Sequence, residues 1–172
     1  MPVLVIMGVS GCGKSSVGAA VAQQLGEGWL FADADAYHPQ ANIDKMASGQ
    51  PLNEVNVDRT DDDREPWLKK LAECIDEWNA QGKGAVLACS ALKRKYRSML
   101  LGPNEKGQSE LIAERMARRE GHFMKQQMLV SQLAALEPLQ EDERGVVIED
   151  VSAPPDQIAA DILRRIGELS SS

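Results

Sequence analysis

The sequence predicts an α/β fold in which a mostly parallel sheet carries helices on both faces. Short apolar segments rich in β-branched residues alternate with segments of helical periodicity along most of the 172 residues. The first strand, within residues 1–7, runs directly into a glycine-rich loop and then into a helix over residues 16–25. Such alternation produces right-handed βαβ units, so the loops that follow the strands meet at one edge of the sheet.

Composition and charge exclude several classes of function. The chain is 43% hydrophobic and 26% charged, and its net charge of −7 is offset by no basic block, which argues against a nucleic-acid partner. The apolar N-terminus is too short for a signal peptide or a membrane span. Three scattered cysteines indicate reduced thiols and not disulfides or a zinc site. We expect a cytoplasmic protein with one domain over residues 1–169 and a disordered tail over 170–172.

The loop after the first strand has the pattern G-x-x-x-x-G-K-[ST] of a phosphate-binding P-loop. Glycines let the backbone curl around a phosphate with its N–H groups pointing inward, and the helix N-terminus adds positive potential. A glycine-rich turn that binds nothing is the alternative, but the strand-loop-helix context favours a nucleoside triphosphate. Lys14 is predicted to reach the β- and γ-phosphates, and the Ser15 hydroxyl to bind Mg²⁺. The predicted nucleotide-binding residues here are Gly8, Val9, Ser10, Gly11, Cys12, Gly13, Lys14, Ser15 and Ser16.

The remaining elements follow from short apolar runs for strands and from helical spacing with Gly or Pro at the ends for helices. Pro66, for example, suits the first turn of a helix whose Leu68, Leu71 and Ile75 share one side. Residues 49–63 and 102–108 are polar and are predicted as loops. The predicted strands are 28–33, 85–89 and 146–148, and the predicted helices are 42–46, 67–81, 93–101, 110–119, 123–136 and 156–169.

Carboxylates follow the second predicted strand at the same edge as the P-loop. Asp33 and Asp35 lie one residue apart, on opposite sides of the pleat unless the strand has already ended. Beside a P-loop, one carboxylate can hold Mg²⁺ or its water, and another can accept the proton of an attacking hydroxyl. The alternative is a pair of ordinary turn residues. His38 is equally compatible with a ligand and with a buried histidine.

Two groups of basic residues have positions that suggest anion binding: one follows the third predicted strand, and the other lies in the predicted helix 110–119. Lys93, Arg94, Lys95 and Arg97 open a helix, where positive charge opposes the helix dipole, and this placement favours a bound anion. Arg115 and Arg119 are spaced i, i+4 on a predicted helix and suggest a lid near residues 115–136 that brings cations over the phosphates. An exposed amphipathic helix is the alternative for that segment.

Eight segments, in order along nearly the whole chain, resemble the gluconate kinases (gluconokinases), which are small P-loop kinases related to shikimate kinase. The resemblance implies a three-layer α/β/α P-loop kinase fold, ATP and Mg²⁺, and the conversion of D-gluconate to 6-phosphogluconate in carbohydrate metabolism. The family is commonly dimeric, so a homodimer is possible. The segments are 7–15 (MGVSGCGKS), 33–39 (DADAYHP), 42–46 (NIDKM), 49–53 (GQPLN), 62–68 (DDREPWL), 89–93 (CSALK), 96–97 (YR) and 119–123 (REGHF).

The resemblance also implies roles for individual residues. Asp35 becomes the base for the substrate hydroxyl and a substrate contact, and Asp33 joins Ser15 on the metal side. Arg64 becomes a clamp on the gluconate carboxylate, which a bidentate arginine suits. Residues 151–154 are expected to pack on adenine. The other implied residues are His38, Lys93 and Arg97 as substrate contacts, Arg115 and Arg119 as ATP-binding lid cations, and Lys14 and Arg119 as catalytic partners of Asp35.

The chain departs from the family pattern at two places. Residues 54–60 are an insertion in the polar loop, and the family's strand before the helix carrying Arg115 is missing. In the related sheet order 2-3-1-4-5 that strand is the direct neighbour of the first strand. We therefore expect a four-stranded sheet with the last strand moved beside the first. These departures make a catalytically impaired nucleotide-binding relative one alternative function. A shikimate-kinase-like enzyme is the other alternative, and the segments His38-Pro39 and residues 90–93 argue against it.

Overall fold

The computed structural model describes residues 2–47, 64–101, 111–115, 126–148 and 150–170. The strands in these ranges form one sheet in the order β2-β3-β1-β4-β5, and every neighbouring pair is parallel. This order confirms the predicted α/β class with a parallel sheet. The strands are β1 (Val3–Gly8), β2 (Trp29–Asp33), β3 (Gly84–Ala88), β4 (Leu111–Arg115) and β5 (Gly145–Ile148).

Six of the seven predicted helices agree with the structure to within three residues at their ends, and the prediction of a helix over residues 110–119 is wrong because residues 111–115 form β4. A short 3₁₀ helix, Ala34–Tyr37, follows β2 and was not predicted. The final helix includes Ser170, so the prediction that Ser170 belongs to a disordered tail is wrong, and residues 171–172 lie outside the described residues. The α-helices are α1 (Lys14–Leu25), α2 (Gln40–Ala47), α3 (Glu65–Ala80), α4 (Arg94–Leu101), α5 (Gln126–Ala135) and α6 (Pro155–Ser170).

Helices cover both faces of the sheet, as the alternation of strands and helices predicted. All six residues of β1 are buried, and its side chains alternate between two apolar clusters. One cluster joins β1 to α3 and α4, and the other joins it to α1 and α6. The first cluster contains Val3, Val5 and Met7 of β1 together with Leu68 and Leu71. The second cluster contains Leu4 and Ile6 of β1 together with Val17, Val21 and Ile162.

The prediction of a four-stranded sheet is wrong, because β4 occupies the place that was expected to be empty. Its residues pair in register from Leu4↔Leu111 to Gly8↔Arg115, and β5 pairs with its other edge. A buried strand edge without partners would leave backbone groups unsatisfied at about 1–3 kcal/mol each. This tertiary requirement overrides the helical spacing of residues 110–119. The reason for expecting an impaired relative, a gap beside β1, therefore does not hold.

The carboxyl ends of β1, β2 and β3 converge at one edge of the sheet. The Gly8 N–H donates to the Ser90 carbonyl at 3.4 Å, and the Cys89 N–H donates to the Ile6 carbonyl at 3.0 Å. Arg115 ends β4 at the same edge, opposite Gly8. Within the described ranges, no helix is long and apolar enough to cross a membrane.

Candidate active site

The P-loop is held in shape by left-handed glycines and by its own lysine. Gly11 and Gly13 have φ of 78° and 85°, a region that favours glycine. Gly13 is the N-cap of α1, whose first turn contains no acidic residue that would offset the positive end of the helix dipole. Lys14 extends along the loop, and its Nζ donates to the Val9 carbonyl at 3.0 Å. The strand-loop-helix geometry of an anion site is thus present as predicted.

Ser15 and Asp33, the two predicted metal residues, lie in direct contact. The Ser15 Oγ donates to Asp33 Oδ2 at 2.5 Å, which links α1 to the end of β2. Mg²⁺ prefers hard oxygen ligands and is usually bound by one or two carboxylates together with substrate phosphates, not by an all-protein cage. Within the described ranges, no group of three or more His, Cys, Asp or Glu side chains forms such a cage. The hydroxyl and the carboxylate therefore fit a magnesium ion carried by a nucleotide.

Asp33 and Asp35 have different environments because β2 ends at Asp33. The Asp33 carboxylate caps the 3₁₀ helix by accepting from the Asp35 N–H at 3.0 Å, and it also accepts from Ser15. The Asp35 side chain is 86% exposed. Asp33 is thus fixed by two hydrogen bonds, whereas Asp35 presents an open carboxylate two residues beyond the strand end.

His38 packs behind this carboxylate. Its ring stacks on Trp67 with centroids 4.2 Å apart, and its Nε2 lies 4.0 Å from Asp35 Oδ1. Burial lowers the pKa of His38, the Asp35 charge partly opposes this shift and Arg64 adds to it. The side chain is 5% exposed, and its buried Nδ1 has no hydrogen-bond partner among the described residues. Each ring nitrogen of a neutral imidazole can take part in one hydrogen bond, as donor or as acceptor.

Trp67 positions the turn that carries these groups, and the sequence analysis did not single it out. Its indole Nε1 donates to the Ala34 carbonyl at 2.7 Å, and its ring is 2% exposed. One side chain of α3 thus holds both the backbone beside Asp35 and the His38 ring. The only sequence signal was an aromatic residue in the first turn of a helix, which is also what an ordinary core residue looks like.

Arg64 and Lys93, both predicted substrate ligands, are brought together around Tyr96. The Arg64 guanidinium lies 5.9 Å from the Tyr96 ring centroid, and the Nζ atoms of Lys93 and Lys95 lie 5.6 and 5.8 Å from it. Tyr96 is 3% exposed, so the ring is a fixed platform. A cation close to the face of an aromatic ring is attracted to the ring's quadrupole. Together these cations form a positive cluster suited to a carboxylate.

The prediction that Arg97 contacts the substrate is not supported, because its buried guanidinium already pairs with groups of the protein. Arg97 is 1% exposed and forms a two-pronged ion pair with Glu143, at 2.5 Å from Nε and 2.7 Å from the second nitrogen. Another nitrogen donates to the Glu137 carbonyl at 3.0 Å. Burial alone would raise the pKa of Glu143, but hydrogen bonds from Arg97 and the Gln140 backbone hold that pKa below its usual value.

The predicted anion at the start of α4 comes from the protein itself. The Arg94 N–H donates to Glu137 Oε2 at 2.6 Å, and the Arg94 guanidinium pairs with Asp142 at 2.5 Å. The sequence pattern predicted a bound anion at this helix N-terminus, whereas the structure shows carboxylates of the protein there. The pattern could not identify this source, since the acidic residues lie more than 40 positions later in the chain.

Ala91 gives the loop after β3 an unusual backbone. Its φ of 39° is the only positive value outside glycine among the described residues. Such a conformation costs free energy in a residue with a Cβ and persists where surrounding contacts enforce it. Arg97 supplies such contacts, since its guanidinium donates to the Ala91 and Leu92 carbonyls at 3.4 Å each. Arg97 therefore shapes the loop that carries Lys93.

The predicted lid and adenine segment are only partly described. Arg115 ends β4, so its predicted place on a helix with Arg119 is wrong, and Arg119 lies outside the described residues. The inserted residues 54–60 also lie outside them. Residues 151–154 connect β5 to α6, and the Ser152 N–H and Oγ donate to Asp150 Oδ1 at 2.8 and 2.6 Å. Their contact with adenine stays a prediction.

The cysteines are free and buried, which agrees with the predicted reduced thiols. Cys12 lies in the P-loop at 3% exposure and packs with Val9 and Leu92. Burial raises the pKa of Cys89 to about 12. The Cys89 thiol therefore stays protonated at neutral pH and does not act as a nucleophile.

The site geometry agrees with what comparison with known proteins finds. No protein-family model matches the chain. A gluconokinase from Gluconobacter oxydans is 43% identical over 169 residues, which cover 94% of this chain and 89% of that protein. The crystal structure of a gluconokinase from Sinorhizobium meliloti matches with a TM-score of 0.79 at 38% identity, over 99% of this chain and 94% of that one.

A more distant structural relative shares the fold alone. Shikimate kinase from Acinetobacter baumannii matches over 98% of this chain and 94% of that one, with a TM-score of 0.58 at 15% identity. The predicted P-loop kinase fold is therefore confirmed. The sequence identity to the two gluconokinases is much higher than the identity to shikimate kinase. The chain belongs to the gluconokinase family.

Proposed function

We propose that this protein transfers the γ-phosphoryl group of ATP to a hydroxyl of D-gluconate, which yields ADP and 6-phosphogluconate. The observation that carries this proposal is the placement of an exposed Asp35 carboxylate beside the Ser15–Asp33 pair at the mouth of a P-loop. Phosphoryl transfer depends mainly on positioning and electrostatic stabilisation, and this arrangement can supply both. Membership of the gluconokinase family supports the choice of acceptor.

The P-loop, residues 8–16, is proposed to hold the ATP phosphates. Backbone N–H groups and the α1 dipole provide the cradle, and Lys14 exchanges its contact with the Val9 carbonyl for the β- and γ-phosphates. Ser15 and Asp33 are proposed to hold Mg²⁺ on the nucleotide, which their direct contact supports. When bound, this ion neutralises charge that develops on the phosphate oxygens.

Asp35 is proposed as the base for the acceptor hydroxyl. As the hydroxyl oxygen forms its bond to the γ-phosphorus, the bond from that phosphorus to the bridging oxygen of ADP breaks, and the hydroxyl proton passes to an Asp35 carboxylate oxygen. Asp33 is less suited to this role because both of its oxygens already accept hydrogen bonds. The exposed carboxylate of Asp35 has no such commitment to Ser15.

The acceptor is proposed to lie between the Asp35–His38 turn and the cluster around Tyr96. Arg64 and Lys93 offer positive charge for the gluconate carboxylate, and neutral His38 offers a hydrogen bond to a sugar hydroxyl. We further infer that Arg115 and Arg119 serve the phosphates and that residues 151–154 pack on adenine. We also infer that the enzyme works in the cytoplasm as one domain and forms a homodimer.

A coupled ADP-release assay with purified protein and Mg-ATP tests the proposal. The three arms contain gluconate, shikimate or no acceptor. We expect release that depends on gluconate, with the shikimate arm at the level of the no-acceptor arm. Release that depends on shikimate would transfer the proposal to the shikimate-kinase-like alternative. Absence of acceptor-dependent release from protein that binds ATP and unfolds cooperatively would indicate the catalytically impaired relative.

A further inference from the structure

The P-loop makes a side-chain contact with α5 that none of the assigned roles explains. The Ser10 backbone N–H donates to Gln132 Oε1 at 2.6 Å, and the two residues are 122 positions apart. Ser10 belongs to the loop that is proposed to wrap the phosphates. Each peptide group is planar, and neighbouring peptide planes are joined at a Cα atom. The direction of the Ser10 N–H therefore affects the orientation of the next peptide groups in the loop. A residue that fixes this N–H therefore fixes the entry of the cradle.

Gln132 lies on a segment that is itself firmly packed at the site. Just beyond it, Ala135 and Leu136 pack against the cluster of Val9, Cys12 and Leu92, which lines the inner side of the P-loop. The Glu137 N–H then donates to the Leu92 carbonyl at 2.8 Å. The C-terminal end of α5 thus contacts the loop after β1 and the loop after β3. The packed end of α5 therefore holds the Gln132 carboxamide beside Ser10.

The chemistry of a carboxamide suits this position better than that of the carboxylates nearby. An amide oxygen accepts the Ser10 N–H without adding charge, whereas a carboxylate would repel the phosphates beside it. The Nε2 group of Gln132 has no hydrogen-bond partner among the residues that the structure describes. A neutral acceptor at the P-loop entry is therefore compatible with an occupied phosphate site.

We propose that Gln132 is a positioning residue of the nucleotide site, which holds the Ser10 end of the P-loop in the shape that receives the β- and γ-phosphates. This inference rests on the ATP-binding part of the proposed function and is independent of the acceptor. It predicts that Gln132 contributes to nucleotide affinity through Ser10 and not through the stability of the fold.

Calorimetric titration of Mg-ATP and Mg-ADP into the full chain without acceptor tests this role. Gln132→Met keeps the length of the side chain but removes the acceptor. We expect both nucleotides to bind about fivefold to tenfold more weakly, which corresponds to one lost hydrogen bond, with an unchanged thermal midpoint. Gln140→Met is the matched control, because the exposed Gln140 side chain donates to the Pro138 carbonyl and to no other described residue, and this variant should bind both nucleotides like the wild type.

Gln132→Glu provides a second, independent readout. This variant keeps an oxygen for the Ser10 N–H but places a negative charge beside the cradle, so ATP affinity should fall more than ADP affinity, and added salt should reduce the difference. Nucleotide affinities of Gln132→Met within twofold of the wild type would overturn the proposal, as would equal losses of ATP and ADP in Gln132→Glu. Because no acceptor is present, failure of gluconate turnover in the wild type would leave this result readable on its own.

Discussion

Two charged regions lie at the carboxyl edge of the same sheet, and they differ in whether their charged side chains are exposed or paired within the protein. The carboxylate turn, Asp33 to His38, carries the 86% exposed side chain of Asp35. The α4 anchor consists of Arg94 and Arg97 with the acidic residues that pair with them. There Arg97 is 1% exposed, and the side chain of Glu143 is 9% exposed. One region leaves a charge available for a ligand, and the other neutralises its charges internally.

The difference shows that position at the functional edge does not by itself make a charged residue a ligand. Arg94 and Arg97 stand beside Lys93 in the sequence, and all follow β3. Only the three-dimensional structure separates them, since Glu137, Asp142 and Glu143 satisfy the two arginines. A buried charge must be paired because its desolvation is expensive. The α4 anchor therefore shapes the loop of Ala91 and Lys93, and the carboxylate turn is the region that we propose acts on substrates.

Removal of one partner from the α4 anchor should have the largest effect on stability. Arg97→Met leaves Glu143 buried without its partner and releases the carbonyls of the Ala91 loop, so we expect a loss of about 3–5 kcal/mol in the free energy of unfolding. Urea denaturation measures it. Arg164→Met, at an exposed arginine that also pairs with two carboxylates, is the matched control and should change stability little.

The double variant Arg97→Met with Glu143→Met sharpens this test. Replacing both charges by apolar side chains removes the unpaired charge, so much of the stability lost in the single variant should return. A single variant as stable as the Arg164→Met control would show that the ion pair does not anchor α4.

Trp67 tests how firmly the carboxylate turn is held. Trp67→Phe keeps a ring to stack on His38 but removes the hydrogen bond to the buried Ala34 carbonyl, so a loss of about 1–3 kcal/mol is expected. Turnover should fall as well, because Asp35 is the next residue. Trp78→Phe, a substitution of a partly buried tryptophan in the same helix, is the control for ring size. Equal effects of the two substitutions on turnover would mean that Trp67 does not position Asp35.

A smaller effect concerns pH. Burial lowers the pKa of His38, with Arg64 adding to the shift and Asp35 opposing it, so the folded protein binds this proton less readily than the unfolded chain. The resulting stability is fully present above the unfolded pKa of about 6.5 and is lost as the pH falls through the lower folded pKa. The thermal midpoint of His38→Gln should therefore fall less than that of the wild type between pH 7.5 and 5.5. Identical decreases in both proteins would contradict this assignment.

The parts of the site that could be predicted from the sequence are those encoded by local patterns. The P-loop motif placed Lys14 and Ser15, and a strand end followed by Asp-Ala-Asp placed both carboxylates at the correct edge. The contacts that could not be predicted join distant positions: Arg97 with Glu143, 46 residues later, and Ser10 with Gln132. β4 belongs to the same class, because its pairing partners in β1 and β5 override its own helical spacing.

The most direct test of the account is a comparison of Asp35→Asn with the wild type in two measurements, gluconate-dependent ADP release and Mg-ATP affinity. The substitution is nearly isosteric and replaces the proton-accepting carboxylate with a neutral amide. We predict that kcat falls by a factor of about 10² to 10⁴ while ATP affinity and the unfolding midpoint stay unchanged. Asp44→Asn, at an exposed carboxylate in α2, should retain full turnover. Wild-type turnover in Asp35→Asn would contradict the assignment of the base and with it the functional distinction between the two charged regions.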